Sequence, residues 1–194
     1  GRVQYHIGNH EMPILMPSIF HWPDTYSTSI STIQRQEFLD RIIDGDVTAV
    51  FKGHNYTYSH AGSNESINTT AVNTALREAA STLLEDIGER HESETHERIV
   101  EQHSRLFAVG ESSARGPDAG LLWIDFRHLE ETAPPQIVGH SMHERPARKG
   151  NVVCGNVIRR NHNSKGGEGV LIETPDQLTS VRRNCDGTIS TTTV

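Results

Sequence analysis

An amide, an imidazole and a carboxylate stand side by side at Asn9-His10-Glu11, directly behind a glycine, Gly8. The run ahead of them places apolar residues at Val3, Tyr5 and Ile7, the period of a strand with one buried face. The pattern predicts a strand over residues 1–7 and a tight turn over 8–12 with donor groups at its tip. Two further segments repeat the arrangement, Tyr58-Ser59-His60-Ala61-Gly62 and Ile137-Val138-Gly139-His140. Loops that follow strands are where α/β proteins keep their chemistry. Three strand ends, each offering a nitrogen or an amide oxygen, have the donor types to converge on metal.

Those donors need a core to hold them. A chain of 194 residues fits one domain and can bury a sizeable core. No run approaches the ~20 apolar residues needed to span a bilayer, and no N-terminal stretch has the layout of a signal peptide. The net charge of −7 argues against non-specific binding of nucleic acid or of an anionic membrane. It leaves a phosphorylated substrate open, because a local metal charge overrides the global field. Cys154 and Cys185 form no CxxC pattern and read as reduced thiols of a cytoplasmic protein.

The elements follow from local signals. Pro13, Pro17 and Pro23 predict an irregular loop over residues 13–30. A capping box, Ser31 with Gln34, opens a helix with an apolar stripe at Phe38, Leu39, Ile42 and Ile43, stopped by Asp44-Gly45. Residues 47–52 and 56–59 read as a hairpin around Gly53-His54-Asn55. Helical periods run over 70–88 and, more weakly, over 94–108. This helical region, about 63–108, sits between strand-rich segments and reads as an insertion or cap. Strands are expected at 120–125, 136–139, 151–158, 169–173 and 178–183, with residues 184–194 as an edge strand or a tail. The order predicts an α/β or α+β domain.

Gly8-Asn9-His10-Glu11, Ser59-His60-Ala61-Gly62 and Val138-Gly139-His140-Ser141 resemble, in the right order, the later motifs of the calcineurin-like metallophosphoesterases. The nearest branch is that of the Ser/Thr protein phosphatases and bacterial diadenosine-tetraphosphatases. The resemblance covers about residues 3–173, with the helical region unmatched. It implies two mixed β-sheets packed face to face with helices outside. It also implies two divalent ions (Mn, Fe or Zn), roughly 4 Å apart, that hold a bridging hydroxide and clamp a phosphoryl group. Asn9, His60 and His140 would ligate one ion. His10 would be catalytic, hydrogen-bonding the substrate and protonating the leaving oxygen, a task suited to imidazole. Glu11 would buttress the loop. Arg115 and Arg127 are the candidates for a phosphate-binding arginine.

The departures matter equally. The family's Asp-x-His and Gly-Asp-x-x-Asp-Arg blocks lie upstream of Gly-Asn-His-Glu, and only eight residues precede Asn9. The expectation is an N-terminally truncated domain over 1–194 with at most one well-formed ion site, inactive as it stands. Part of one sheet would then be absent, exposing apolar edges that favour pairing between copies. The function expected of the complete protein is hydrolysis of phosphomonoesters, in phosphoproteins or small molecules. The alternative is a non-catalytic metallophosphatase-like binding or regulatory module.

The other histidines read differently. His91, His96 and His103 are expected on the solvated side of a charged helix. His21, His54, His128 and His162 fall near turns, and His143 is given no ligand role. Trp22 and Trp123 read as packing residues, and Gly166-Gly167-x-Gly169 as a hairpin turn.

Overall fold

The computed structural model describes residues 3–20, 30–161 and 165–194. His21, Trp22, Pro23 and His162 lie outside them. The chain opens with β1 (Tyr5–His6), a 3-10 turn over Asn9–Glu11, and α1 (Met12–Leu15). It continues through α2 (Thr32–Ile43), β2 (Val47–Thr48), β3 (Val50–Lys52) and β4 (Thr57–Ser59). The helices α3 (Thr69–Asp86), α4 (Glu92–Gln102) and α5 (Ser104–Phe107) follow. The last part holds β5 (Gln136–Val138), β6 (Ala147–Lys149), β7 (Val152–Cys154), α6 (Ile158–Asn161), β8 (Gly169–Glu173), β9 (Leu178–Arg183) and β10 (Ile189–Thr193). The fold is mixed α/β, and no helix among the described residues is long and apolar enough to cross a membrane.

The largest sheet has the order β3-β4-β5-β7-β6. Its three central strands, β4, β5 and β7, are parallel to one another, with antiparallel strands at both edges. Every residue of β5 and β7 is buried, as expected for parallel strands covered on both faces. Alternation splits their side chains between two clusters. Val138, Val152 and Cys154 pack with Ala61, Ile124 and Leu129 on one face. Ile137 and Val153 pack with Leu178 and Leu171 on the other, so the antiparallel sheet β10-β9-β8 covers that face. A third, two-stranded sheet pairs β1 with β2 in parallel. The family resemblance implies two sheets; among the described residues there are three.

The helices form the largest apolar cluster. Leu76, Ala79, Ala80 and Leu83 of α3 and Ile99 of α4 share it with Ile7, Met12, Leu15, Leu39 and Ile42. The helical stretch read as an insertion is therefore part of the main core. Asn73 fixes it to the sheets. Its Oδ1 accepts from the N–H groups of Ala49 and Val50 (3.0 and 3.1 Å), and its Nδ2 donates to the Val50 carbonyl (2.9 Å). The capping box of α2 forms as predicted, with Gln34 N–H donating to Ser31 Oγ and Ser31 N–H to Gln34 Oε1.

Several local expectations are corrected. Residues 120–125 are no strand: the N–H groups of Trp123 and Ile124 both return to the Gly120 carbonyl, making a buried turn. An unbroken apolar run reports burial, and periodicity alone does not tell a buried turn from a buried strand. Residues 13–15, expected in the loop 13–30, belong with Met12 to a helix, because Pro13 near the start of a helix costs no hydrogen bond. Val3 and Tyr5 are exposed, and only Ile7 of that triplet is in the core. The segment 151–158 ends its strand at Cys154 and turns into α6. His96 is fully buried. Its Nδ1 pairs with Ser18 Oγ, and its other nitrogen lies 3.4 Å from Glu92, which is itself paired with Arg35.

Candidate metal centre

Parallel strands end on the same side, so whatever follows β4 and β5 is brought together. His60 follows β4 and His140 lies two residues past β5. The His60 carbonyl accepts from both Gly139 N–H (2.8 Å) and His140 N–H (2.9 Å), which fixes the two backbones to each other. Asn9 arrives from the end of β1, where Ile7 N–H donates to Thr48 O. Glu11 Oε2 accepts from Gly8 N–H at 2.7 Å, closing the turn from within. Asn9 is buried and His10 exposed.

Three donor atoms meet as a result. His60 Nε2 lies 2.8 Å from Asn9 Oδ1 and 3.1 Å from His140 Nδ1, and His140 Nδ1 lies 3.2 Å from Asn9 Oδ1. Three ligands at right angles around an ion, each about 2.1 Å from it, stand about 3.0 Å apart. The triangle therefore fits one face of an octahedral site with nitrogen, nitrogen and oxygen donors, a set suited to Mn, Fe or Zn. Among the described residues no group of three His, Cys, Asp or Glu side chains has metal-holding geometry. This cluster reaches three donors only through the amide of Asn9. A nearby cleft of about 370 Å³, between α3 and residues 102–106, contains none of them.

Both imidazoles are kept neutral. Burial pushes His60 down to about 3, with His140, His10 and His6 adding repulsion. Burial also pushes His140 down to about 4, helped by the Arg115 guanidinium and by His10 and opposed by Asp125. A neutral ring keeps the lone pair that a metal needs. Burial lowers His6 and His96 as well. In the unfolded chain all four take up protons near pH 6.5, so that state binds more protons at mildly acid pH. Stability of the metal-free protein is accordingly complete above about pH 6.5 and falls as pH drops toward the folded values. Each histidine contributes up to about 1.4 kcal/mol per pH unit within its window. Urea midpoints taken between pH 7.5 and 4.5 check this; a flat profile contradicts it.

Gly8 is required by close approach. A Cβ there would stand 2.6 Å from His60 Nδ1 and 2.7 Å from its Cε1. Gly62 closes the turn behind His60 with φ +109, where a Cβ would also meet Val138.

The other predicted site residues are placed as follows. His10 neighbours the cluster closely enough for its charge to depress both imidazoles. Arg115 bears on His140 in the same way, and its backbone is left-handed (φ 65). That conformation is held by Arg115 N–H to Val109 O (2.7 Å) and Asp125 N–H to Arg115 O (3.0 Å). Arg127 is exposed and turned to His128, with Nε to Nε2 at 3.2 Å, and no described contact brings it to the cluster. His143 packs edge-on against Phe126.

Sequence reasoning missed the supports of the His140 turn. The Cys154 thiol lies 3.1 Å from Gly139 O and 3.2 Å from Ser141 O, and burial pushes it up to about 11, so it acts as a neutral donor. Asn156 Nδ2 donates to His140 O (3.3 Å). Phe126 N–H donates to Ser141 Oγ (2.8 Å). The signal was present: Val153-Cys154-Gly155-Asn156 repeats the apolar-glycine-polar layout of Val138-Gly139-His140.

No family model matches the chain, and neither the curated proteins nor the solved structures contain a match to it. The functional reading rests on the cluster itself.

Proposed function

We propose that Asn9, His60 and His140 hold one divalent ion of a metallophosphoesterase centre that hydrolyses phosphomonoesters. The observation that carries this reading is the triangle of donor atoms, 2.8–3.2 Å on a side. A bound ion would supply Lewis acidity at a phosphoryl oxygen. Around it, His10 orients the substrate and delivers a proton from its imidazole to the leaving oxygen. Arg115 supplies a guanidinium for the phosphoryl oxygens from a loop already held by Asp118, whose carboxylate accepts from the N–H groups of Glu111 and Ser112. Arg127 is the weaker candidate of the two, because it faces His128.

The fold that goes with this reading is metallophosphatase-like, with β1 and β2 as part of one sheet and the five-stranded sheet as the other. The second ion's ligands belong, in the family resembled, to the Asp-x-His and Gly-Asp-x-x-Asp-Arg blocks. The 194 residues alone are expected to bind an ion and show little turnover. The phosphorylated substrate is a phosphoprotein or a small phosphate ester, and the setting is cytoplasmic.

The test is initial-rate hydrolysis of a chromogenic phosphomonoester with Mn²⁺, in a form that also carries those two blocks. His10→Ala is expected to lower kcat about 10²–10⁴-fold while calorimetry finds Mn²⁺ still bound. The same donor count, one ion's set, favours a second reading as a non-catalytic binding or regulatory module. Ion binding with no hydrolysis in either form selects it.

A further inference from the structure

The surface that stands out beyond the metal centre is the sheet β10-β9-β8, which ends in an open strand. β10 is the terminal strand, with β9 on one side and, among the described residues, no strand on the other. Its register with β9 runs without a bulge from Ile189↔Arg183 to Thr193↔Thr179. Asn184 N–H donates to Thr188 O and Val194 N–H to Leu178 O, which identifies 184/188 and 178/194 as hydrogen-bonded pairs. Such pairs alternate along an antiparallel ladder. The N–H and C=O groups of Ile189, Thr191 and Thr193 therefore turn away from β9, toward the open edge.

Side chains opposite each other in such a ladder share a face. One face thus carries Val170, Ile172, Thr179, Val181, Ile189, Thr191 and Thr193, all β-branched, with Arg183 opposite Ile189 at one end, where it is ion-paired with Glu168. Val170, Ile172 and Ile189 are 60, 47 and 62% exposed. Solvated edges are normally protected by lysine, proline, an inward charge or a bulge. Residues 189–193 have none of these.

We propose that β10 is the self-association edge of this protein, pairing antiparallel with β10 of a second copy about a two-fold axis at Thr191. Three features select a second copy over an unrelated partner. The outward groups are self-complementary under that axis, with Thr191 facing Thr191 and Ile189 facing Thr193. The strand is uncharged in a chain of net charge −7, so two repelling copies meet on a neutral strip. Charges at its two ends are also complementary. Arg148 Nη1 donates to Val194 O (2.7 Å), while Asp186 lies in the hairpin that leads into β10. The two-fold axis brings each Arg148 toward Asp186 of the other copy. A five-residue edge is small for an interface, so the association is weak and reversible. It does not depend on the proposed activity.

Sedimentation equilibrium of the 194-residue protein over a concentration series tests the proposal. Wild type is expected to show a reversible monomer–dimer equilibrium. Thr191→Pro removes an N–H that the fold does not use, and edge strands tolerate proline. It is expected to raise the dimer Kd at least about tenfold, through loss of the two central hydrogen bonds, with Tm unchanged. Should proline lower Tm, Thr191→Lys gives the same reading by placing like charges across the axis. Arg148→Glu is expected to weaken the dimer as well. A wild type that stays monomeric throughout overturns the proposal. So does a dimer indifferent to both Thr191 variants, which would assign association to another surface such as the open side of β1.

Discussion

His60→Ala is expected to lower the affinity of the chain for Mn²⁺ by at least about 100-fold at neutral pH. Changes in groups that merely orient a ligand cost about 10–100-fold, and His60 is placed as a ligand itself. Its Nε2 is the closest of the three donors to both others, at 2.8 Å from Asn9 Oδ1 and 3.1 Å from His140 Nδ1. Removing it leaves one imidazole and one amide, too few donors to displace the water of a divalent ion. The backbone should be unaffected, since His60 O is what Gly139 and His140 bind and alanine retains it. His10→Ala is the control: it removes a neighbouring imidazole without removing a donor, so affinity stays within a few-fold of wild type. Isothermal titration calorimetry of both variants, with thermal melts to check folding, decides the point. Equal losses in the two variants would mean that His60 is not the ligand the triangle makes it.

The second large effect is expected from Gly8→Ala, a change that adds one methyl group beside the cluster and removes no donor. The added methyl would overlap the His60 ring at 2.6 Å. The His60 backbone cannot retreat, because its carbonyl is held by two N–H groups, so the ring must rotate or the Asn9 turn must lift. Either movement opens the donor triangle. The backbone at Gly8 is extended (φ −125), a conformation alanine adopts freely, so the whole cost is steric. Overpacking of this kind costs about 1–3 kcal/mol, and Mn²⁺ affinity should fall alongside. The measurement is a urea midpoint together with a metal titration. A variant with wild-type stability and wild-type affinity would mean that His60 is not held where the triangle needs it.

The donor cluster was legible in the sequence because strand ends carry strong local signals. An apolar residue, a glycine and a polar residue mark Asn9 and His140, a short strand followed closely by Gly62 marks His60, and parallel pairing of β4 with β5 supplies the convergence. The α2 helix was equally legible, since its capping box and apolar stripe agree. What was not legible depended on distant partners. Leu121 to Ile124 read as a strand, yet they fill the space between two apolar clusters as a turn. His96 sits among glutamates on a polar helix, and nothing local announces that Ser18, 78 residues away in sequence, waits across the interface. Arg115 and Arg127 were indistinguishable as residue types. The structure separates them, because one bears on His140 and the other turns to His128.

The most direct test of the metal centre is a histidine-ring ¹⁵N NMR titration of the 194-residue chain with diamagnetic Zn²⁺. The account predicts that Nε2 of His60 and Nδ1 of His140 move together to the position of coordinated nitrogens, saturating at one ion per chain, while the ring of His10 shows no coordination shift. Saturation with those two nitrogens unmoved, or coordination at other histidines such as His91 and His103, would contradict it.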